Sequence, residues 1–274
     1  MKRLAIHNPW PGAPLHFKKR TTSTMEDARR QFESGCPDGT VVLTDFQTMG
    51  RGRVAGRSWN AEAGKNLLFT LVLRTGRGGQ GIGAAPQRLP LVAGLALALS
   101  VEHLYGISVQ LKWPNDLIVG KKKLAGILCE ALVRGDSLGL LIGIGFNCNQ
   151  MSFSRELESR ATSLARVLGR QVSLPDLLQE VLWKLKASLD DADWHAKVVD
   201  RLYGLNRVNA ASQAQGAGYG HPVNGPPGCV LFPTGKRGIV LGLNPDGSLL
   251  FQPEQSAPVS VYGGEIRFTS DSEL

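Results

Sequence analysis

Residues 112–132, KWPNDLIVGKKKLAGILCEAL, carry the pattern that decides the fold. Two apolar runs, 117–119 and 124–132, are separated by Gly120 and a short run of lysines. A glycine between two apolar runs is typical of a hairpin turn, because glycine adopts positive φ without strain. Pro114 interrupts the strand before them, since proline cannot donate a backbone hydrogen bond. The stretch therefore predicts adjacent antiparallel strands.

The flanking sequence adds further strands and amphipathic helices. Apolar and β-branched residues predict strands at 15–17, 40–46, 66–74, 109–113 and 138–146. Helical spacing predicts helices from Ser23 or Thr24 to about Phe32, at 86–105 and at 175–202. Because hairpins dominate the middle of the chain, we expect an α+β fold whose mixed, largely antiparallel sheet is covered by helices.

The composition changes after residue 204, where glycine and proline become frequent. Short strands are predicted at 228–233, 237–243, 249–252 and 258–262, with a turn at 244–247. We therefore expect a main domain of residues 1–204, followed by a small β-barrel of residues 205–274.

Composition excludes several classes of protein. The chain has 274 residues, of which 42% are hydrophobic and 20% charged, as in soluble globular proteins. No apolar run reaches transmembrane length, and no signal peptide is visible, so we expect a cytoplasmic protein that binds no membrane. The cysteines and histidines lack the spacing of a disulfide framework or a zinc site.

The net charge of +8 is concentrated in loops at 51–57 and 121–123. Such local clusters fit a small phosphorylated ligand better than a nucleic-acid duplex, with an ordinary basic surface as the alternative. The first cluster belongs to GRGRVAGRSW at residues 50–59, the Gly/Arg loop. Glycines allow close approach to a ligand, arginines pair with carboxylate or phosphate oxygens, and Trp59 offers a flat face to a base.

Two further motifs carry candidate ligand-binding residues. KWPND at 112–116 combines a cation with oxygen ligands suited to Mg²⁺, although Pro-Asn-Asp is also common in simple turns. KLAGIL at 123–128 and GIGFN at 143–147 place glycines inside apolar strands, where either a ligand or a tightly packed helix explains them. The sequence contains neither a dinucleotide-binding nor a P-loop nor a nucleophile-elbow motif.

In this order, the motifs resemble those of biotin protein ligases, and the resemblance covers nearly the whole chain. It continues at 161–164, ATSL, and at 263–266, GGEI. It implies the class II synthetase-like biotin/lipoate ligase fold, with an SH3-like C-terminal barrel. It also implies biotin and ATP as substrates, with Mg²⁺.

The resemblance assigns a role to individual residues. Ser23, Thr24 and Gln47 resemble the groups that hydrogen-bond the ureido ring and neighbouring parts of biotin. Lys123 resembles the lysine at the reacting carboxylate and α-phosphate, and Arg51 is the second catalytic residue so implied. The remaining biotin-binding residues so implied are Gly50, Arg51, Gly52, Arg53, Lys123, Gly126, Leu128, Gly143 and Gly145. The ATP-binding residues so implied are Arg51, Arg53, Trp59 beside the adenine, Lys112, Asn115, Asp116 and Asn147, with Asp116 as a Mg²⁺ ligand.

The chain departs from the family pattern in three ways. Val54 and Ala55 separate Arg53 from Gly56, where the family commonly has a single residue. Met25 stands where asparagine often follows Ser-Thr, and Arg267 lies closer to Glu265 than the expected ATP-contacting arginine.

The resemblance implies a ligase that activates biotin with ATP and transfers it to a lysine of a biotin carboxyl carrier domain of a carboxylase. It involves no nucleic acid and allows a homodimer. Lipoate or octanoate attachment is the alternative within the same fold. A DNA-binding repressor would need a winged helix before Ser23, where we expect none because only 22 residues precede it. A catalytically silent binding module would not need Lys123 and the intact GRGR.

Overall fold

The computed structural model describes residues 6–76, 87–205 and 228–268. Its larger sheet has seven strands in the order β1-β2-β3-β7-β6-β5-β4. Their bounds are β1 Leu15–Lys18, β2 Thr40–Thr44, β3 Leu67–Gly76, β4 Gln110–Lys112, β5 Asp116–Val119, β6 Lys122–Arg134 and β7 Ser137–Phe146. β1 and β2 run parallel, and all other neighbours run antiparallel. The predicted mixed, largely antiparallel sheet is confirmed.

The hairpin predicted at 117–132 is formed by β5 and β6, with Gly120 at φ 61° in its turn. β6 continues through a second hairpin into β7, so the strands that carry the two glycine-containing motifs are direct neighbours. Gly126 is paired with Gly145 across this ladder, and Leu128 with Gly143. The register thereby brings the two motifs together.

Helices cover both faces of the sheet. Their bounds are α1 Thr24–Glu33, α2 Arg88–Tyr105, α3 Leu164–Leu168, α4 Leu174–Leu189 and α5 Trp194–Val199. α1 packs on β2, β3 and β7, whereas α2 packs on the other face and is itself covered by α4. Within β2, Val42 joins the core under α1, while Val41 and Leu43 join the core under α2. Since both faces are buried, these strands are apolar at successive positions rather than at alternate ones.

The predicted helix 175–202 is wrong as a single element. The structure has α4 and α5, separated by four residues that include Asp190, Asp191 and Asp193. Carboxylates are unfavourable at the C-terminal end of a helix, where the helix dipole is negative. Asp191 also accepts a hydrogen bond from the backbone of Asp193 (2.9 Å) and pairs with Lys197 (2.6 Å), which stabilises the break. The start of the predicted helix 86–105 at Pro86 lies outside the described residues.

The second sheet, here called the C-terminal sheet, has the strand order β11-β10-β9-β8-β12 and is antiparallel throughout. Its strands are β8 Cys229–Phe232, β9 Lys236–Leu243, β10 Leu249–Pro253, β11 Val259–Val261 and β12 Glu265–Phe268. The small C-terminal β unit is therefore confirmed, whereas β12 and the short helix α3 were not predicted. The closure of this sheet into a barrel and the domain boundary at 204 stay predictions.

Within the described residues, no helix is long and apolar enough to cross a membrane.

Candidate functional site

A cleft with about 460 Å³ of space, partly open to solvent, lies where α1, the Gly/Arg loop and strands β5 to β7 meet. The residues that line it are Thr24, Met25, Gln47, Arg51, Gly52, Arg53, Trp59, Asn115, Lys123, Gly126, Ile127, Leu128, Gly143, Ile144 and Gly145. The structure therefore brings together most of the residues singled out by the sequence.

One end of the cleft is polar and fixed by hydrogen bonds. The Gln47 side-chain Oε1 accepts from the backbone N–H of Thr24 (2.8 Å) and from its hydroxyl (3.1 Å). Thr70, on β3, donates to the same Thr24 hydroxyl (2.9 Å). The Ser23 hydroxyl, beside them at the start of α1, is buried and has no hydrogen-bond partner among the described residues. Thr24 and Gln47 give this end of the cleft hydrogen-bonding groups for a polar ligand, and the unpaired Ser23 hydroxyl, whose burial is costly, lies next to Thr24 behind the lining.

The opposite wall is formed by glycines of β6 and β7, and the Trp59 indole lies against them. A Cβ on Gly145 would lie 2.4 Å from the indole, and one on Gly126 would lie 2.9 Å from it. No side chain larger than hydrogen fits at either position while Trp59 occupies this place. The indole thus contacts the wall that the resemblance assigns to the biotin rings, and its role beside adenine stays a prediction.

The Gly/Arg loop, which carries Trp59 to the glycine wall, is a hairpin-like turn with an antiparallel bridge between Arg51 and Ser58. The backbone N–H of Trp59 donates to the Gly50 carbonyl (2.9 Å), and the backbone N–H of Gly52 donates to the Arg57 carbonyl (2.8 Å). Gly56 has φ 81°, a conformation that favours glycine. Of the three arginines in this loop, Arg51 and Arg53 line the cleft, whereas Arg57 does not.

The floor beside Thr24 is apolar. Met25 is buried in the core under α1, and a Cβ on Gly143 would lie 2.6 Å from its sulfur. Sequence reasoning noted Met25 only as a departure and missed it as a lining residue, together with Ile127 and Ile144. The signal that could have found the isoleucines is their position between the glycines of KLAGIL and GIGFN.

The cationic groups at the cleft lie close to carboxylates. The Lys123 ammonium is 2.6 Å from the Asp116 carboxylate and 5.5 Å from the centre of the Trp59 ring. The Arg51 guanidinium is 2.7 Å from the Glu26 carboxylate. Arg53 donates to the backbone carbonyl of Gly264 (2.5 Å), which belongs to the segment before β12. The cleft is therefore lined by positive charge that is held in place by its own neighbours.

Arg57 lies outside the cleft and pairs with Glu265 of β12 (2.8 Å). Burial raises the pKa of the Glu265 carboxyl, but the charges of Arg57 and Arg267 and their hydrogen bonds lower it below its ordinary value. Glu265 is therefore ionised at neutral pH and links the C-terminal sheet to the Gly/Arg loop.

Five residues assigned by the resemblance do not line the cleft: Ser23, Gly50, Lys112, Asp116 and Asn147. Ser23, Gly50 and Asp116 lie directly behind lining residues, as described above. The Lys112 ammonium is 6.0 Å from the Tyr203 ring and 5.8 Å from the Phe268 ring, at the contact between the two sheets. Asn147 is buried, and its backbone pairs with Leu124 and Leu164.

A preformed metal cage is not found among the described residues, because no three or more His, Cys, Asp or Glu side chains cluster there. Asp116 is the carboxylate nearest to the lining residues Asn115 and Lys123, and Lys123 already pairs with it. The Asn115 amide donates to the Ile127 carbonyl (2.7 Å). Among the described residues, the side of the cleft near Asn115 and Lys123 therefore offers the single carboxylate of Asp116, which suits a cation that also has ligands from outside the protein.

The Biotin/lipoate A/B protein ligase family matches residues 17–147. The chain is 32% identical to the biotin–[acetyl-CoA-carboxylase] ligase of Paracoccus denitrificans over 236 residues, which cover 85% of this chain and 92% of the relative. It is 35% identical to the bifunctional ligase/repressor BirA of Bacillus subtilis over 183 residues, but these span only 55% of that relative.

Among solved structures, the fold is similar to that of the biotin protein ligase from Aquifex aeolicus in complex with biotin and ATP. The TM-score is 0.73 at 27% identity, and the match covers 92% of this chain and 97% of the other.

Proposed function

The chain belongs to the biotin protein ligase family, and from this we propose that it activates biotin with ATP and attaches it to a lysine of a carrier protein. The observation that carries the proposal is the cleft itself. Its polar end, with Thr24 and Gln47, suits the ureido ring, and its glycine wall suits the apolar rings. Arg51, Arg53 and Lys123 supply positive charge for the carboxylate and the phosphates.

The reaction has two steps. A carboxylate oxygen of biotin attacks the α-phosphorus of ATP, forming a new P–O bond while the bond to pyrophosphate breaks. The neutral ε-amine of the carrier lysine then attacks the carbonyl carbon of biotinyl-5′-AMP. A C–N bond forms, the C–O bond to AMP breaks, and the nitrogen loses its proton.

The residues of this chain serve the first step mainly through charge. The carboxylate and the triphosphate repel each other, and cations fixed beforehand in a partly closed cleft lower that repulsion in the transition state. We assign Lys123 and Arg51 to this role, and Arg53 to retention of the adenylate. Closing the Gly/Arg loop over the mixed anhydride excludes the water that would hydrolyse it.

ATP occupies the side of the cleft beside β5. We assign Asn115, Asp116, Asn147 and Lys112 to this side, with Trp59 beside the adenine, as the resemblance implies. Asp116 would supply one oxygen toward a Mg²⁺ ion, and the ion would neutralise part of the charge of the ATP phosphates.

The name of a relative supports the choice of acceptor protein. The relative from Paracoccus denitrificans is named as a ligase that acts on acetyl-CoA carboxylase. We assign a biotin carboxyl carrier domain of a biotin-dependent carboxylase as the acceptor here. The cytoplasmic location, the absence of nucleic-acid and membrane binding and the homodimer stay predictions.

The deciding experiment is exchange of labelled pyrophosphate into ATP, with biotin, lipoate and octanoate as separate acids. We expect exchange that depends on biotin and is at least about a hundredfold slower with the other two acids, which cannot pair with Thr24 and Gln47. Exchange supported equally by lipoate or octanoate would replace biotin by that acid, and no exchange with any acid would reject the ligase. The second step is tested by transfer to a purified carrier domain, with the increase in the mass of that domain measured by mass spectrometry.

A further inference from the structure

Arg51 is held by two carboxylates from different elements. Its Nη2 lies 2.7 Å from Glu26 of α1 and 3.5 Å from Glu130 of β6. Glu130 is in turn paired with Arg29 of α1 (2.7 Å). The four side chains form a row of alternating charges that joins the Gly/Arg loop to α1 and β6.

The Arg51–Glu26 pair of this row is too exposed to contribute much to folding. The side chain of Arg51 is 44% exposed and that of Glu26 is 37% exposed, and such ion pairs add little to the stability of a fold. Its geometry points to another purpose. Both carboxylates contact the same nitrogen, and a guanidinium has further N–H donors on its other edges. Arg51 lines the cleft, whereas Glu26 and Glu130 do not.

We propose that Glu26 and Glu130 are positioning residues, which hold one edge of Arg51 so that its remaining donors face the carboxylate of the substrate. The inference rests on the proposed function, because it takes biotin as the ligand. α1 then fixes both ends of the ligand, since Thr24 orients Gln47 at the ring end and Glu26 orients Arg51 at the carboxylate end. The distance between ring and carboxylate is thereby set by one rigid helix.

The physical basis is preorganisation. A free arginine side chain loses rotamer freedom when it binds an anion, and an arginine already held by protein carboxylates has lost that freedom before the ligand arrives. The effect must therefore appear for ligands that carry a carboxylate, and it must depend on Arg51.

The test measures the Kd of biotin and of biotinol, in which an alcohol replaces the carboxylate, by calorimetry at an ionic strength of about 0.15 M. For Glu26→Gln and Glu130→Gln, we expect the Kd of biotin to rise about fivefold and that of biotinol to stay within about twofold. In an Arg51→Gln background, the same two changes are expected to have almost no further effect. Glu33→Gln, at the exposed end of α1, is the matched control for loss of one negative charge.

The opposite outcomes are distinct. An equal loss for biotin and biotinol, or a loss that persists in the Arg51→Gln background, would make the two glutamates structural and overturn the inference. Tighter binding of biotin by Glu26→Gln would mean that Glu26 competes with the substrate, which also overturns it. Failure of the unchanged protein to bind biotin would instead reject the proposed function, so the two failures can be told apart.

Discussion

At the scale of single residues, opposite charges are paired around the cleft before any ligand is considered. Lys123 with Asp116 and Arg51 with Glu26 are each within 2.7 Å and partly exposed. Pairs of this kind restrict the rotamers of both partners. An anion that enters the cleft therefore meets cations that are already in place, and it shares them with the protein's own carboxylates.

We expect Lys123→Ala to slow adenylate formation about a hundredfold, because a charge that stabilises the transition state costs roughly 3 kcal/mol when it is removed. Pyrophosphate exchange measures this rate, and circular dichroism confirms that the fold is intact. Lys121→Ala, on the exposed hairpin turn, serves as control. A variant with near-normal exchange would show that Lys123 only pairs with Asp116.

The sequence identified the residues that the family resemblance assigns, and it missed the carboxylates that hold Arg51. Thr24, Gln47 and Lys123 were selected through the family resemblance, and the structure places all three at the cleft. Glu26 and Glu130 gave no signal, because an acidic residue in the first turn of a helix or on a strand is ordinary there. Their contact with Arg51 depends on how three distant segments pack, which no local pattern encodes.

At the scale of elements, β7 carries glycines for two different purposes. A Cβ on Gly139 would lie 2.5 Å from the ring of Phe32, a fully buried residue of α1. A Cβ on Gly145 would instead lie 2.4 Å from Trp59, which belongs to the Gly/Arg loop. One glycine therefore admits a core side chain, and the other admits a side chain of the site.

These two glycines give a matched pair of substitutions. Gly145→Ala is expected to displace the indole and weaken biotin binding about tenfold, or about 1.4 kcal/mol, while the melting temperature changes little. Gly139→Ala is expected to lower the melting temperature by several degrees, because the buried Phe32 cannot move aside, with a smaller effect on binding. Calorimetry and thermal unfolding separate the two effects, and the reverse pattern would contradict the assignment of Trp59 to the cleft.

α1 also contains a buried carboxylate that gives a pH dependence. Asp27 accepts hydrogen bonds from Lys18 (2.7 Å) and Thr21 (2.6 Å). Burial alone would raise its pKa. The two hydrogen bonds and the charges of Lys18 and Arg30 lower the pKa by more, so that it lies below the ordinary value of 3.8. The folded state therefore binds this proton less readily than the unfolded state. The resulting stability is present above pH 3.8 and is lost as the pH falls through the pKa of the folded protein.

We accordingly expect Asp27→Asn to lower the free energy of unfolding by about 2 kcal/mol at neutral pH. The difference from the unchanged protein should shrink as the pH falls below about 4, where the native carboxyl also becomes protonated. Urea unfolding at a series of pH values measures both quantities. If the difference in the free energy of unfolding stays constant with pH, the effect comes from packing of the side chain and not from its charge.

At the scale of the whole molecule, the C-terminal sheet is attached at several points to the part of the chain that forms the cleft. Arg57 pairs with Glu265, Trp113 donates to the Gly247 carbonyl (3.2 Å), and Tyr203 packs edge-on against Phe268. The sequence predicted most strands of this sheet from turns and alternation, but not β12, whose four residues are stabilised by pairing with β8. The helix break at Asp190 was missed for a related reason, since periodicity alone continues through it.

Exchanging the two charges tests the link between Arg57 and Glu265. Arg57→Glu alone and Glu265→Lys alone should each weaken retention of the adenylate, because the Gly/Arg loop loses its contact with β12. The double substitution should recover part of that loss, limited by repulsion between the new lysine and Arg267. The half-life of bound biotinyl-5′-AMP after gel filtration measures retention. Strictly additive losses would mean that the pair does not act as a link.

The pairing of β3 with β7 also has a consequence for how the chain folds. It joins Leu67 to Phe146, segments about 80 residues apart, whereas the hairpins β5–β6 and β6–β7 join neighbours along the chain. Closing so long a loop costs conformational entropy, and this slows the pairing of β3 with β7. We therefore expect the local hairpins to form first and β3 to dock late. The Gly/Arg loop precedes β3 in the chain, and the glycine wall is on β6 and β7. The two halves of the cleft therefore come from an early and a late part of the folding reaction, so the appearance of biotin binding during refolding should coincide with its slowest phase.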